Sequence, residues 1–292
     1  MYNSLSVLPD FFRSLDDQTC RDFTLYVVDN ASPDDSCEVA GCLAGAVRFQ
    51  TILIQNPCNG GIAQGNNLGI RAALNDGCRW ILLSNNDTVW SPDTLAVLLE
   101  QACRNRAEIA VPKIFNHNTG CIWYAGGRWN RWRGGTKHNR QDRIKEASPV
   151  PYAPTCCMLI HGAVFDRIGG MDERFFLYYD DSDFVRRAEK AGIPVWYIPQ
   201  AVIIHKEGTS SGSVSPLAQY RLSRNLLLFT HKHHPKWYWY YVLAVNLSIL
   251  FFKRLFTFGR TEWLASWRGI RDGVRICREK QTEPTPSRPW KG

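Results

Sequence analysis

Four short apolar runs in the first 114 residues, three of them leading into a helix-start signal, restrict the fold more tightly than anything else in the chain. Phe23 to Val28 ends in Asp-Asn-Ala-Ser-Pro, where Ser32 is placed to cap a helix, Pro33 suits its first position and Asp35 completes a capping-box spacing. Phe49 to Ile54 is a second strand candidate, followed by a Gly/Asn-rich turn and a helix through about Leu74. Trp80 to Leu83 is a third, after which Ser91-Pro92-Asp93 opens a helix by the same logic, and Ile109 to Ile114 is a fourth. Strands alternating with helices of about ten to fifteen residues predict βαβ units and a mainly parallel sheet. The pattern breaks up from about Gly120 to Pro154, where Gly126-Gly127, Gly134-Gly135 and many Trp and Arg residues predict a long irregular excursion that carries binding loops. Order returns at Met158 to Ile160, then a helix over Asp183 to Ala191, short strands at Val195 to Ile198 and Val202 to Ile204, and helix beyond Pro216. No internal repeat is visible. With 292 residues, 45% of them hydrophobic, such a chain can bury a sizeable core.

The net charge of +8 suggests nucleic acid until it is located. Residues 231–292 hold 12 Lys/Arg against 4 Asp/Glu, whereas residues 1–230 hold 23 of each. The neutral body therefore disfavours nucleic acid as a partner, and the basic tail directs attention to a membrane surface. Ten cysteines are scattered, apart from the adjacent Cys156-Cys157, without the CxxC spacing of a zinc site. No basic-then-apolar leader opens the sequence, so reduced thiols in a cytoplasmic protein are expected.

In open α/β sheets ligands gather outside the carboxyl ends of the strands. The first run ends in Val28-Asp29-Asn30, the second is followed by Asn56-Pro57-Cys58-Asn59-Gly60-Gly61, and the third ends in Ser84-Asn85-Asn86-Asp87. Taken singly, each is an ordinary turn sequence; together they deliver polar groups to one edge. Gly60-Gly61 opens a helix after a strand, but no GxGxxG or P-loop is present, and glycines at a spacing of four predict close packing on the sheet rather than a dinucleotide site. The cluster Tyr178-Tyr179-Asp180-Asp181-Ser182-Asp183 places three carboxylates within four residues, followed by Arg186 and Arg187. Acids are welcome at a helix N-terminus, yet their mutual repulsion also invites a metal ion, a bound hydroxyl or the arginines as compensation. His205, ending a late strand, is a candidate metal ligand beside the plain reading of a structural histidine.

The order Tyr2-Asn3-Ser4, Val27-Val28-Asp29-Asn30-Ala31-Ser32, Asn59-Gly60-Gly61 with Asn66, Asn85-Asn86-Asp87, Gly169-Gly170-Met171-Asp172-Glu173-Arg174-Phe175-Phe176, Tyr179-Asp180-Asp181-Ser182-Asp183-Phe184 and His205-Lys206 resembles glycosyltransferase family 2. The resemblance covers roughly residues 2 to 230 and is closest to bacterial rhamnosyltransferase-like members. It implies an inverting enzyme of the GT-A fold that moves a sugar from a nucleoside diphosphate to an acceptor hydroxyl, usually with a divalent metal. By that resemblance Tyr2, Asn3, Asp29, Asn30, Asn59, Gly60, Gly61, Asn66, Asn85 and Asn86 belong to the nucleotide-sugar site, with Asp29 on the base or ribose. Asp87, with His205 and Asn85, is expected to hold Mg²⁺ or Mn²⁺, a hard ion that takes oxygen ligands and neutralises charge on a departing diphosphate. Asp181 fits the general base that takes the acceptor proton, with Asp180 as the rival.

Three departures stand out. Asn85 replaces the first acid of the metal motif, Thr155-Cys156 stands where the family has Gly-Ala, and the apolar strand before the first motif is missing because the chain opens at Met1-Tyr2-Asn3. A start upstream of Met1, or a gap in the sheet, is expected from the last of these. The reading is thus a GT-A α/β domain over residues 1–230 and a helical appendage over 231–292. In the tail, Trp237 to Phe252 carries no charge and is flanked by Lys232, Lys236, Lys253 and Arg254, with a second helix over about Thr261 to Lys280. Sixteen residues at 1.5 Å each reach about 24 Å, short of the roughly 30 Å hydrocarbon core. Trp and Tyr beside Lys and Arg suit a membrane interface, so contact with the cytoplasmic face of the inner membrane is expected, with a true span or a cap on the body as alternatives. The acceptor expected is a surface glycan or a lipid-linked molecule. A non-catalytic nucleotide- or glycan-binding homologue is the alternative function; a nucleotide-dependent oxidoreductase is argued against by the missing GxGxxG.

Overall fold

A computed structural model describes residues 1–206, 215–256 and 259–279. The four apolar runs become β1 (Thr24–Asp29), β2 (Gln50–Gln55), β3 (Trp80–Ser84) and β5 (Ile109–Asn116), with a short β4 (Thr88–Trp90) directly after β3. Between them lie α2 (Ser36–Ala44), α3 (Gly61–Asn75) and α4 (Thr94–Arg104). A further helix, α1 (Leu8–Asp16), precedes β1 and buries Leu8, Phe11, Phe12 and Leu15, an i, i+3, i+4, i+7 spacing that marks one helical face. Neither expected capping serine caps a helix. The Ser32 hydroxyl donates to Asp29 Oδ1 at 2.6 Å while its oxygen accepts from Asn3 N at 3.2 Å rather than from a helix N–H, and α2 starts only after Asp35. Likewise α4 starts after Asp93, which makes no side-chain cap, and the Ser91 carbonyl accepts from Thr94 N at 3.0 Å.

The excursion after β5 is not irregular throughout. It contains β6 (Ile122–Tyr124), a hairpin of β7 (Gly127–Asn130) and β8 (Gly135–His138), and β9 (Ser148–Val150). The chain then returns as β10 (Cys157–His161), α5 (Gly162–Ile168), a 3-10 turn at Glu173–Phe175, α6 (Asp180–Lys190) and β11 (Val195–His205). The two late strands expected separately are this one strand, whose pairing with β5 shifts register between Ile198 and Val202, where Pro199 lacks an N–H for the ladder.

Strands β1 and β2 pair in parallel, and the larger sheet runs β3-β10-β5-β11-β4, with β6 added on β5 and β9 on β11. Within it β5–β11 is parallel, while β10 lies antiparallel to both β3 and β5, and β4 antiparallel to β11. The sheet is therefore mixed rather than mainly parallel, because the excursion brings the chain back as β10 running against its neighbours. Helix α4 packs against β5 and β11, over a centre in which Ile109, Val111, Ile114, Leu159, Ile160 and Ile203 are buried. No described strand joins the two sheets. The Met1 amine donates to Val28 O and its carbonyl accepts from Asn30 N, the pattern of a parallel ladder partner opposite Asp29.

Three helices close the described chain, α7 (Pro216–His233), α8 (Lys236–Phe256) and α9 (Arg260–Arg278); Lys280, where the second tail helix was expected to end, lies outside the described residues. Ser215 caps α7 through Ala218 N, with Pro216 at the favoured first position. Helix α7 passes residue 230 without a break, so the expected division between body and tail falls inside it. It crosses α9 closely enough that a Cβ on Gly269 would stand 2.4 Å from the Tyr220 carbonyl oxygen. Leu227, Leu250 and Ile270 form a small core among the three helices. Among the described residues no helix is long and apolar enough to cross a membrane.

Candidate active site

Strand register assembles the first half of the site. Strand β11 meets β4 with His205 opposite Thr88, which sets Asp87 beside the imidazole at Nε2–Oδ1 3.1 Å. The Lys206 N–H donates to the Asp87 carbonyl at 2.8 Å and holds the two chain segments together. On the other side β10 meets β3 with Cys157 opposite Ser84, so Asn85 N donates to Cys156 O at 2.9 Å. Trp123 stacks edge-on against both His205 and His138, at 5.1 and 4.4 Å between ring centroids. Burial, reinforced by the positive charge of Arg140, pushes His138 down to about 4.

The second half is the N-terminus of α6, which starts three residues before the expected Asp183 and so takes Asp180 and Asp181 into its first turn. The approach is strained: Phe176, Tyr178 and Tyr179 all have φ between 51° and 66°. Asn225 of α7, fully buried, holds that approach by donating from its side-chain amide to the carbonyls of Phe175, Leu177 and Tyr178 at 2.8, 2.8 and 3.0 Å. Asp183 is fully buried and receives His233 Nε2 at 2.7 Å, Lys232 Nζ at 2.6 Å and Arg187 Nε at 2.8 Å. Burial alone would raise this carboxyl; the His233 hydrogen bond and the two cations outweigh it and hold it well below the usual range.

Among the described residues no cation pairs with Asp180 or Asp181. Burial and the neighbouring Asp181 charge push Asp180 up to about 7. Burial also raises Asp181, opposed by hydrogen bonds from the Tyr152 hydroxyl to Oδ2 and from Ser182 N to Oδ1, the latter at 2.6 Å. Both carboxyls are therefore raised, and Asp181 is the better oriented member of the pair and the more exposed one.

A cavity of about 720 Å³ brings the two halves together, with Asn85, Asp87, His205, Asp180 and Asp181 all in its lining. Tyr152, Thr155 and Cys156 line it as well. Tyr2, Asn3, Asp29, Asn30, Asn59, Gly60, Gly61, Asn66 and Asn86 do not. Asp29 is engaged by Ser32, and Asn3 N donates to Ser32 Oγ at 3.2 Å. Asn30 bonds the Gly61 carbonyl and Asn56. Asn59 Oδ1 accepts from Gly61 N, and Gly61, at φ +83°, lies so close to Phe176 that a Cβ would stand 2.3 Å from its carbonyl oxygen. Gly65 and Gly69 pack against Asn30 and Val28, as their spacing predicted. Ile62, which lines the cavity and bonds the Phe176 carbonyl, is where this cluster reaches the catalytic end. Asn66 is only half-buried; its neighbour Asn67 is buried and bonds Met171 N and O and Glu173, locking α3 to the turn before α6. Tyr152, Asn67 and Asn225 were not foreseen; only Asn67, on the buried face with Ala63 and Ile70, carries a periodic signal.

Among the described residues no group of three or more His, Cys, Asp or Glu side chains stands ready for a metal ion. Asp87 and His205 nevertheless fit one. Donor atoms 3.1 Å apart match adjacent ligands on an octahedral ion with bonds of about 2.1 Å, and two protein ligands leave positions for diphosphate oxygens and water. One carboxylate and one imidazole, with the Asn85 side chain in the same lining, make a donor set for Mg²⁺ or Mn²⁺.

The model of Glycosyl transferase family 2 matches residues 1–169. The N-acetylglucosaminyl-diphospho-decaprenol L-rhamnosyltransferase of Mycobacterium tuberculosis is 25% identical over 268 residues, covering 79% of this chain and 82% of that protein. A mannosyltransferase of Pyrobaculum calidifontis, solved with GDP-Man and Mn²⁺, superposes with a TM-score of 0.59 at 14% identity, over 95% of this chain and 83% of that one. S. aureus TarS 1-349, solved with UDP-GlcNAc, does so with a TM-score of 0.58 at 16% identity, over 95% and 79%.

Proposed function

We propose the following reaction for this chain, which belongs to glycosyl transferase family 2 and has its GT-A fold: inverting transfer of a sugar, rhamnose first among the candidates, from a nucleoside diphosphate to a hydroxyl of a lipid-linked or surface-glycan acceptor. The observation that carries it is that one cavity has both the acid pair at the start of α6 and the Asp87–His205 pair in its lining. Rhamnose and a diphospholipid acceptor are favoured by the name of the mycobacterial relative.

Inversion needs a base on the face opposite the leaving group. Asp181 fills that role: Tyr152 and Ser182 fix its carboxylate, and, partly buried in the cavity lining, it can still be reached by an acceptor hydroxyl. Asp180, buried and pushed up to about 7, holds a proton beside it and limits the negative charge at that end. A divalent ion held by Asp87 and His205, with Asn85 beside them, would supply positive charge to the departing diphosphate. Asp29, Asn30 and the Asn59-Gly60-Gly61 turn shape the strand-end cluster against which the nucleoside is proposed to lie, with Tyr2, Asn3, Asn66 and Asn86 around it.

A nucleotide-sugar panel read by thermal shift identifies the donor, and transfer is then measured with Mg²⁺ or Mn²⁺. Asp181→Asn should lose transfer by about a hundredfold or more while still binding donor, and Asp180→Asn should lose less. Near-wild-type turnover in both variants would overturn the mechanism.

The tail is proposed to hold the enzyme at the cytoplasmic surface of the inner membrane. Trp237, Tyr240, Phe251 and Phe252 are exposed along α8, and on α9 exposed Trp267 adjoins Arg268 and Arg271. Amphipathic rings beside guanidinium groups match an interface rich in anionic lipid. Flotation with phosphatidylglycerol vesicles, lost in phosphatidylcholine alone and weakened by salt, is the expected result; no binding to either refutes it.

A further inference from the structure

The cavity does not end at the carboxylates. It continues into the space enclosed by α7, α8 and α9, where Leu222, Leu226, Ile249, Leu250 and Ile270 line it. Nine residues of these three helices contribute to the lining and none is charged, although residues 231–292 carry twelve Lys/Arg. These helices thus give the cavity an uncharged end, five of whose nine lining side chains are aliphatic. A sugar and a diphosphate have no chemical use for the aliphatic part of such a wall.

Between the two ends stands Arg133, on the turn of the β7–β8 hairpin and in the cavity lining. The turn is fastened to α8, whose Tyr238 hydroxyl donates to Arg131 O at 2.6 Å and whose Tyr241 hydroxyl donates to Trp132 O at 3.3 Å. Among the described residues no carboxylate forms an ion pair with the Arg133 guanidinium, which is free to take an anion. A Cβ on Gly134, next to Arg133, would stand 2.9 Å from Thr230 Cγ2 and 3.2 Å from Leu226 Cδ1, and one on Gly135 would stand 3.2 Å from the Tyr179 hydroxyl, so this turn lies between the α7 wall and the segment that leads into α6.

We infer that this half of the cavity is the acceptor's lipid subsite, with the uncharged groove of α7, α8 and α9 holding an isoprenoid or alkyl chain and Arg133 binding the diphosphate that joins it to the acceptor sugar. The inference rests on the sugar-transfer reading of the carboxylate end, because continuity with that end selects an acceptor as the occupant. It gives the helical tail a second role, as a wall of the site itself. Hydroxyl, diphosphate and hydrocarbon of a lipid-linked sugar each have a matching group in this one lining: Asp181, Arg133 and the aliphatic residues of α7, α8 and α9.

The test uses undecyl diphosphate and methyl diphosphate, titrated calorimetrically into the full chain with EDTA present so that a metal-dependent donor site does not compete. The undecyl compound should bind at least ten-fold more tightly. Leu222→Gln on α7 and Ile249→Gln on α8 should each cut that advantage below three-fold without weakening methyl diphosphate, and Arg133→Ala should weaken both ligands by a similar factor. Near-UV circular dichroism shows which variants fold, and two groove variants on different helices keep the test decisive if one does not. Equal affinities in the wild-type chain, or an advantage intact in the groove variants, would overturn the lipid subsite; unchanged affinities in Arg133→Ala would overturn the diphosphate contact. Binding of nucleoside diphosphates with Mn²⁺, measured in parallel, separates the two readings. If nucleotides bind and chain length has no effect, only the subsite fails; if no nucleotide binds, the transfer reading fails.

Discussion

Replacing Asp183 by Asn removes one negative charge from a site where three donors converge. The carboxylate is fully buried, while the side chains of His233, Arg187 and Lys232 are 2%, 17% and 26% exposed. Breaking a buried ion pair from one side costs about 3–5 kcal/mol. Asn keeps an acceptor oxygen and Lys232 can swing toward solvent, where it still reaches Asp172, so the lower end, about 3 kcal/mol, is expected. At roughly 2–4 °C per kcal/mol for a domain of this order of size, the midpoint should fall by about 6–12 °C. Urea unfolding at pH 7 gives the free energy directly, provided the slope m stays unchanged. The pH dependence adds a second check. The native Asp183 carboxyl lies well below its unfolded value, so its contribution is complete above about pH 4 and is lost as pH falls through the native value. Burial holds His233 below its ordinary value against the pull of Asp183, so the native state refuses a proton that the unfolded chain accepts, and stability falls as pH drops from about 6.5. Asp183→Asn removes the pull and should steepen the loss between pH 7 and 5 while abolishing the limb below pH 4. A destabilisation under about 1 kcal/mol at pH 7, a value typical of exposed pairs, would refute the claim that this carboxylate anchors α6.

Other outcomes follow from the same geometry. Tyr152→Phe removes a hydrogen bond that favours ionised Asp181, so the acid limb of kcat/KM against pH should move to higher pH; an unmoved or lowered limb would count against Asp181 as base. Asn225→Leu removes the amide that the Phe175, Leu177 and Tyr178 carbonyls accept from; it should cost about 2 kcal/mol and lower kcat more than it changes donor affinity, and a wild-type kcat would show that α7 does not position the acid pair. Gly61→Val sets a branched side chain at φ +83° against the Phe176 carbonyl, and its thermal midpoint should drop sharply, whereas an unchanged midpoint would mean that α3 and the turn before α6 are not packed as described.

Much of the fold is legible without coordinates because it is local. The runs at β1, β2, β3 and β5 and the helix α3 announce themselves by period and by turn residues, and α1 does so once Leu8, Phe11, Phe12 and Leu15 are read together. Helix starts were less legible: Ser32 has the right chemistry for a cap, but its hydroxyl is turned to the Asp29 carboxylate and its oxygen accepts from Asn3 N. The β7–β8 hairpin was hidden in a stretch rich in Gly and Trp, and β10, visible as an apolar run, gave no sign of its antiparallel pairing with the distant β3 and β5. Of the site, the polar strand ends and the acidic run were visible as composition, and their family order supplied roles.

What the sequence by itself determined, then, is the set of elements and the family pattern of Asp, Asn and His residues, since helix and strand periods and short motifs are properties of a few consecutive residues. Tertiary structure decided which of those residues meet. His205 faces Asp87 because β11 pairs with β4 in one register, across a separation of 118 residues. Tyr152 reaches Asp181, Asn225 clasps the loop before α6, and three charged tail helices turn an uncharged side to the same cavity. Each of these depends on long-range register and packing, which no local window of sequence contains.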